Sequence, residues 1–292
     1  MTQEHATFIY SISPKFNLIL SHTIEQDNQQ KKTKMSTQQA PPITTLNTTN
    51  TASLNPLKSI LQSIPWFGFD LDDTLHEFRK ASSSASSAVC ETIHRDTGID
   101  LDALKISYGK ILRETVTGAF VDGRTSTEYR RGRFARLLRV HGLEEETTIL
   151  ERLLCIYQNH LKSALQLKPG ALELLQTIKH QGKQVLVITE GPQDAQEWTV
   201  QELGIKPYID ILVTTNEVRR AKVDGLFSVV LEKYGISAGG VVYVGDSEVR
   251  DVRPARAEGL LTVLVDERGG CEVGDLSGLC VDSLVVLGRF LM

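Results

Sequence analysis

The chain has 292 residues, 41% hydrophobic and 23% charged, with a formal net charge of -4. That length and apolar content suffice for one good core and a smaller second unit. The slight acidity gives no electrostatic case for nucleic acid or a membrane surface, so neither is expected as a partner. Four cysteines, Cys90, Cys155, Cys271 and Cys280, lie far apart with no CxxC or Cys/His ligand spacing. They read as reduced thiols in a cytoplasmic protein and argue against structural zinc.

Residues 1–55 are rich in Gln, Thr, Asn and Ser, and their apolar residues show no sustained period. Such a segment cannot bury enough surface to offset its ordering entropy, so a disordered N-terminal extension is expected. The mildly apolar stretch from Phe8 to Leu20 is interrupted by Pro14, Lys15 and Asn17, and Glu4 and His5 stand where a basic segment would precede a signal peptide. It makes a poor signal peptide and is too short to span a bilayer. Met35, in "KKTKMSTQQAPP", looks like a natural start, and residues 1–34 are expected to be dispensable.

Beyond Leu54 short apolar runs predict buried parallel strands at Trp66–Phe69, Gln184–Thr189, Ile209–Thr214, Val241–Gly245 and Leu260–Val265. Helical periods at Ala171–Gln181, Gln193–Leu203 and Leu226–Tyr234 alternate with the later strands. The closing "VDSLVVLGRFLM" predicts a short strand, an Asp282 cap and a last helix. Alternation of this kind implies an α/β fold with a doubly wound parallel sheet and right-handed crossovers. Residues 76–167 break the rhythm: "SAVCETIHRDTG", "ALKISYGKILRETV", "EYRRGRFARLLRVHG" and "TILERLLCIYQNHLKSAL" all carry helical periodicity. A crossover needs one helix and this interval holds roughly four, so it predicts an inserted helical domain, with 56–75 and 168–292 forming the α/β core.

The chemistry-bearing residues gather at strand ends. "FDLDDT" delivers Asp70 and Asp72 from the first strand, Thr189 ends the second, and "VGDSEVRD" puts Asp246 and Asp251 after a later one. Lys222 follows the third strand in "RRAKVDGLF". In open α/β sheets this carboxyl edge is where ligands bind. Carboxylates gathered there repel one another without a cation, and oxygen-only ligands suit a hard ion such as Mg²⁺.

Taken in order, DxDxT (Asp70, Asp72, Thr74), a strand ending in Thr189, Lys222 and GDSxxxxD (Asp246, Asp251) resemble the haloacid dehalogenase superfamily over residues 65 to 291. The helical insertion just after the first motif resembles the C1 type of cap in that superfamily. The resemblance implies a phosphatase-type hydrolase. Asp70 would be the nucleophile that forms an aspartyl phosphate, and Asp72 the general acid and base. Thr189, Gly191 and Lys222 would bind the phosphoryl group. Asp70, Asp246 and the main-chain carbonyl of Asp72 would hold Mg²⁺, with Asp251 orienting Lys222 or a metal-bound water, or joining the metal itself.

Two positions depart from the family pattern. Glu190 follows Thr189 where a small polar residue is usual, and it is tolerable if it points away or meets a cation. Val223 stands where proline usually follows the lysine. In the insertion, Arg124 of "VDGRTS" occupies a break between helices and is expected to reach the substrate, whereas Arg130, Arg131 and Arg133 are expected to face water. His76, beside the active loop, either touches substrate or covers the hinge.

The favoured reading is a Mg²⁺-dependent phosphatase acting on a small phosphorylated metabolite such as a nucleotide or sugar phosphate, as a monomer or homodimer. A phosphomutase or another reaction on the same scaffold, and a non-catalytic regulator, stand as alternatives. Asp72 disfavours dehalogenation, since displacing a halide needs no acid, and a regulator would be expected to have lost the nucleophile or a metal ligand.

Overall fold

Residues 54–115, 118–267 and 279–292 are described by the computed structural model of the protein. The expected N-terminal extension therefore lies, but for its last two residues, outside the described residues. Those two open helix α1 (Leu54–Ser63), which begins ahead of the expected boundary of the core and sends Leu61 under the sheet. Pro56 falls in its first turn, where a missing N–H costs nothing.

Six parallel strands form one sheet: β1 (Trp66–Phe69), β2 (Gln184–Thr189), β3 (Ile211–Thr214), β4 (Val241–Gly245), β5 (Leu261–Val265) and β6 (Leu279–Val281), in the order β3-β2-β1-β4-β5-β6. Residues alternate between two buried faces, as a sheet covered on both sides requires. In β2, Val185 and Val187 join the core under one face while Leu186 and Ile188 join the core over the other. The first core is closed by α1, by α6 (Ala171–His180) and by α11 (Leu284–Arg289). The second is closed chiefly by α9 (Leu226–Tyr234) and Ala255 of α10 (Arg253–Ala257), with Val218 of the short α8 (Thr215–Val218) packed against it. Strand order reverses beside β1, so the chain leaves β1 and β4 next to each other at the switch point.

Between β1 and α6 the chain makes four helices: α2 (Phe78–Thr97), α3 (Leu101–Thr115), α4 (Ser126–Val140) and α5 (Thr147–Ala164). They bury their own apolar cluster, centred on Leu104, Phe134, Leu137 and Leu153. Helix α4 starts with a capping box in which Thr125 Oγ1 accepts from Glu128 N–H at 3.2 Å and Glu128 accepts from Thr125 N–H at 2.7 Å. The two chain crossings into and out of these helices run side by side, with Glu77 N–H donating to Gln166 O and Lys168 N–H to Leu75 O, each at 2.9 Å.

Three expectations need correction. The last helix is capped by Ser283, whose hydroxyl accepts from Val286 N–H at 3.4 Å, and not by Asp282. Strands β3 and β5 start two and one residues later than their apolar runs, because Ile209 and Leu260 are buried from turns instead of being paired. Cys90 and Cys155 are free thiols, as expected, but Cys280 is disulfide-bonded, a pairing that separation along the sequence does not reveal. Among the described residues no helix is long and apolar enough to cross a membrane.

Candidate active site

Asp70 is the first residue past β1, and its N–H still pairs with Val244 O of β4 at 2.9 Å. That last ladder bond fixes the carboxylate at the switch point, where only 6% of the residue is exposed. Lys222, in the short turn Lys222–Asp224 after β3, donates to Asp70 Oδ1 and, at 2.6 Å, to Asp251 Oδ1. Asp251 sits in a π turn, Glu248–Val252, that folds back under the end of β4. A side chain at Gly245 would bring its Cβ to 2.4 Å from Asp251 Cβ, so only glycine permits this return. The other oxygen of Asp251 accepts from Ser247 N–H at 3.1 Å.

Electrostatics follow from this burial. Desolvation pushes the Asp70 carboxyl well above the usual carboxylate range, against the pull of Lys222 and with help from Asp251. Burial also disfavours the charge on Lys222, but Asp251 and Asp70 outweigh it and raise the ammonium well above its ordinary value. Asp246, which follows β4, is raised by burial and by Asp251. Oxygens of Asp70, Asp246 and Asp251 come within 4.8 Å of one another. Each of the three could offer one ligand oxygen to a cation, Asp251 while its oxygens also accept from Lys222 and Ser247. An all-oxygen, mutually repelling set of this kind fits Mg²⁺.

Asp72 lies beside Asp70 and is held on both oxygens. His76 Nε2 is 2.8 Å from Oδ1, and Gln196 of α7 (Gln193–Glu202) donates to Oδ2 at 3.2 Å. Asp73 takes a left-handed conformation, φ 62°, and its carboxylate accepts from Arg79 N–H in the first turn of α2 at 3.0 Å. The Arg79 guanidinium reaches Asp246 at 3.2 Å. His76 is fully buried, which answers the choice left by the sequence: it lines the hinge and grips Asp72.

Thr189, at the end of β2, is fully buried and its hydroxyl has no partner among the described residues. A buried hydroxyl left unsatisfied is costly unless a ligand completes it. Gly191 lies two residues further on, and its N–H donates to the Thr215 hydroxyl at 3.3 Å. A Cβ at Gly191 would come within 2.3 Å of the Gln196 amide, so its smallness makes room for the group that holds Asp72. Glu190 meets Arg250 at 3.5 Å, the cationic partner its position called for.

A cavity of about 860 Å³ opens above these groups. Its floor includes Asp70, Asp72 and Lys222, and its roof comes from the four inserted helices and the loop after α3. Here the arginines sit otherwise than expected. Arg124 is exposed, outside the cavity, and its Nη2 pairs with Asp122 at 2.6 Å. Arg130 and Arg133 line the cavity instead of facing water. Arg131 behaves as expected, paired with Glu151 on the outside. The roof loop is tied to the core: Thr215 donates to Ala119 O at 2.6 Å, and Asn216 to Phe120 O at 2.9 Å and Arg124 O at 3.1 Å. Ser126 N–H and hydroxyl donate to Asp194 at 2.9 and 2.7 Å.

The family model for haloacid dehalogenase-like hydrolases matches residues 68–265, and the chain belongs to that family. Among curated relatives, the glyceraldehyde 3-phosphate phosphatase of Methanocaldococcus jannaschii is 27% identical over 199 residues, covering 68% of this chain and 82% of that one. The ribulose-1,5-bisphosphate 5-phosphatase of Halopiger xanaduensis is also 27% identical, over 201 residues, 68% of this chain and 83% of the relative. Among solved structures, the magnesium-bound HAD-hydrolase YfnB of Bacillus subtilis superposes with a TM-score of 0.60 at 23% identity, covering 78% of this chain and 98% of that one. That last likeness bears on the fold.

Proposed function

We propose that the protein is a Mg²⁺-dependent phosphatase that hydrolyses a small phosphomonoester through an aspartyl phosphate on Asp70. The observation that carries this reading is the buried Thr189 hydroxyl, without a partner among the described residues, on the same sheet edge as the Asp70 carboxylate and the Lys222 ammonium. A phosphoryl group between them would accept from Thr189 and Lys222 while its phosphorus faces Asp70. Two phosphatases among the relatives of the chain support the reaction class, and the cavity has the size of a metabolite site.

Each residue then has a task. An Asp70 oxygen attacks phosphorus and the ester P–O bond breaks; Asp72 gives its proton to the departing oxygen. Water then attacks the phosphorus of the aspartyl phosphate, Asp72 takes the proton back, and the bond to Asp70 breaks to release phosphate. Asp251 orients Lys222. Asp70, Asp246 and the Asp72 carbonyl would hold Mg²⁺, whose charge neutralises the phosphoryl oxygens so that an anion can approach an anion. The inserted helices act as the cap that shields the reaction from water. Proton donation by Asp72 suits an alkoxide leaving group and has no use in halide displacement.

The test is hydrolysis of p-nitrophenyl phosphate and a phosphometabolite panel by wild type and Asp70→Asn, with Mg²⁺ and with chelator. Turnover should require Mg²⁺ and fall below about one hundredth in the variant, since an amide cannot form the acyl phosphate. Absence of turnover on every phosphomonoester, or an Asp70→Asn enzyme that keeps its rate, would end this reading.

A further inference from the structure

The arginines of the insert divide into two sets. Arg124, Arg131, Arg136, Arg139 and Arg152 each pair with a carboxylate, Asp122, Glu151, Glu114, Glu145 and Asp96, as do Arg95 and the cavity-lining Arg79 of α2 with Asp96 and Asp246. Arg113, Arg130 and Arg133 line the cavity, and among the described residues no carboxylate forms an ion pair with any of them. On α4 the contrast is sharp, because Arg131, Arg136 and Arg139 are paired while Arg130 and Arg133, three residues apart on one face, are not.

What the unpaired set touches is neutral. Arg130 donates to Gln158 Oε1 at 2.7 Å and lies over the Tyr157 ring, 4.8 Å from its centre. Asp194, the acid whose charge reaches Arg130, already accepts from Ser126. Arg133 has a buried Nε with no partner among the described residues and lies beside the Tyr108 hydroxyl. Burial draws the pKa of Arg130 down, and Asp194 only partly offsets it. Charges in that condition are costly unless an anion completes them, and the planar guanidinium fork matches carboxylate and phosphate oxygens. The acids lining the cavity are engaged elsewhere or exposed: Lys222 holds Asp70 and Asp251, Arg250 holds Glu190, Arg79 holds Asp73, His76 and Gln196 hold Asp72, and Asp224 is exposed.

We propose that the substrate is a phosphomonoester carrying a second anionic group, a carboxylate or another phosphate, which Arg133 and Arg130 bind with Arg113 at the roof while the phosphoryl group to be cleaved sits at Asp70. This rests on the phosphatase reading and narrows its substrate class. The two curated relatives described above leave the matter open, since one is named for a bisphosphate and the other for a monophosphate.

The experiment compares matched pairs with the full chain in Mg²⁺: phosphoglycolate against ethyl phosphate for the carboxylate, and propanediol bisphosphate against propyl phosphate for the phosphate. Wild type should favour the doubly anionic member of one pair by about ten- to a hundredfold in kcat/KM, the value of a charge-assisted contact in a closed site. The pair that shows the preference identifies the anion. Arg133→Met should erase most of it, and Arg113→Met, at an exposed side chain less able to disturb folding, should erase part. Melting curves check that both variants fold. A binding arm needs no turnover: phosphonoacetate should bind wild type more tightly than methylphosphonate, or propane bisphosphonate more tightly than propylphosphonate, and Arg133→Met should abolish that difference. Equal kcat/KM within both pairs, or equal losses on both members in the variants, overturns the proposal. Absence of turnover with the binding preference intact upholds the anion site and sinks the phosphatase reading; absence of both turnover and preference sinks the two together.

Discussion

The ring of His76 stands 2.8 Å from one oxygen of Asp72, and because that ring is fully buried the carboxylate is oriented before any substrate arrives. Gln196, on α7, fixes the second oxygen. Orientation of this kind is what proton transfer in a transition state requires.

Removing a general acid hurts most where the departing oxygen is a poor leaving group. Asp72→Asn should therefore slow aspartyl-phosphate formation from an alkyl phosphate far more than from p-nitrophenyl phosphate. Breakdown of the intermediate should slow as well, so phosphoenzyme accumulates with the aryl substrate. Rapid-quench measurement of both formation rates decides the point, and equal losses would remove Asp72 from the acid role.

The acidic residues after β4 should respond in opposite senses. Asp251 and Lys222 are each only 2% exposed, so Asp251→Ala strands part of a buried charge and should cost about 3–5 kcal/mol in urea unfolding. Asp246 has a folded pKa above its unfolded one, so its ionisation costs stability that is absent at acid pH and grows as pH rises past the unfolded value. Asp246→Ala should then melt no lower than wild type at pH 7.5 in chelator. In Mg²⁺ it should fall below wild type, having lost a ligand, and its activity should return in part at high metal concentration.

Arg124→Ala gives a sharp contrast with the roof arginines. Its guanidinium is 58% exposed and bound to Asp122, so kcat/KM on any substrate should change by no more than about threefold. A large and selective loss in steady-state assays would return Arg124 to the role its sequence position had indicated.

The inserted helices can be probed through their thiols. Burial pushes the Cys90 thiol up to about 11, so at pH 8 about one part in a thousand is thiolate and alkylation should be very slow. The sign is that of a buried acid: the protonated thiol is the stable form until pH approaches the raised value. Cys155 is exposed and should react first. Peptide mapping after iodoacetamide treatment should find Cys155 modified and Cys90 intact until denaturant is added.

Legibility in the sequence followed the range of the forces involved. Strands β1, β2 and β4 begin and end as their apolar runs predict, because each run is itself the buried length. Helix α1 escaped notice, since its few apolar residues acquire meaning only under a sheet formed by distant segments. Within the site, Asp70, Asp246 and Thr189 were readable as strand ends, where topology alone gathers them. The grip of His76 and Gln196 on Asp72 was not, as it joins residues up to 124 apart. Nor could the arginines of α4 be sorted, since one helix offers them all and the fold decides which face meets the cavity.

Thr215 and Asn216 hang the roof loop from the first residues after β3, and neither lines the cavity. Selection could thus retune the chamber by altering positions that no contact survey of a bound ligand would mark. Libraries meant to shift substrate preference have a second address here. Replacing Asn216 would redraw Phe120 and its neighbours, and would reach Asp72 only through Gln193 N–H and the helix that carries Gln196.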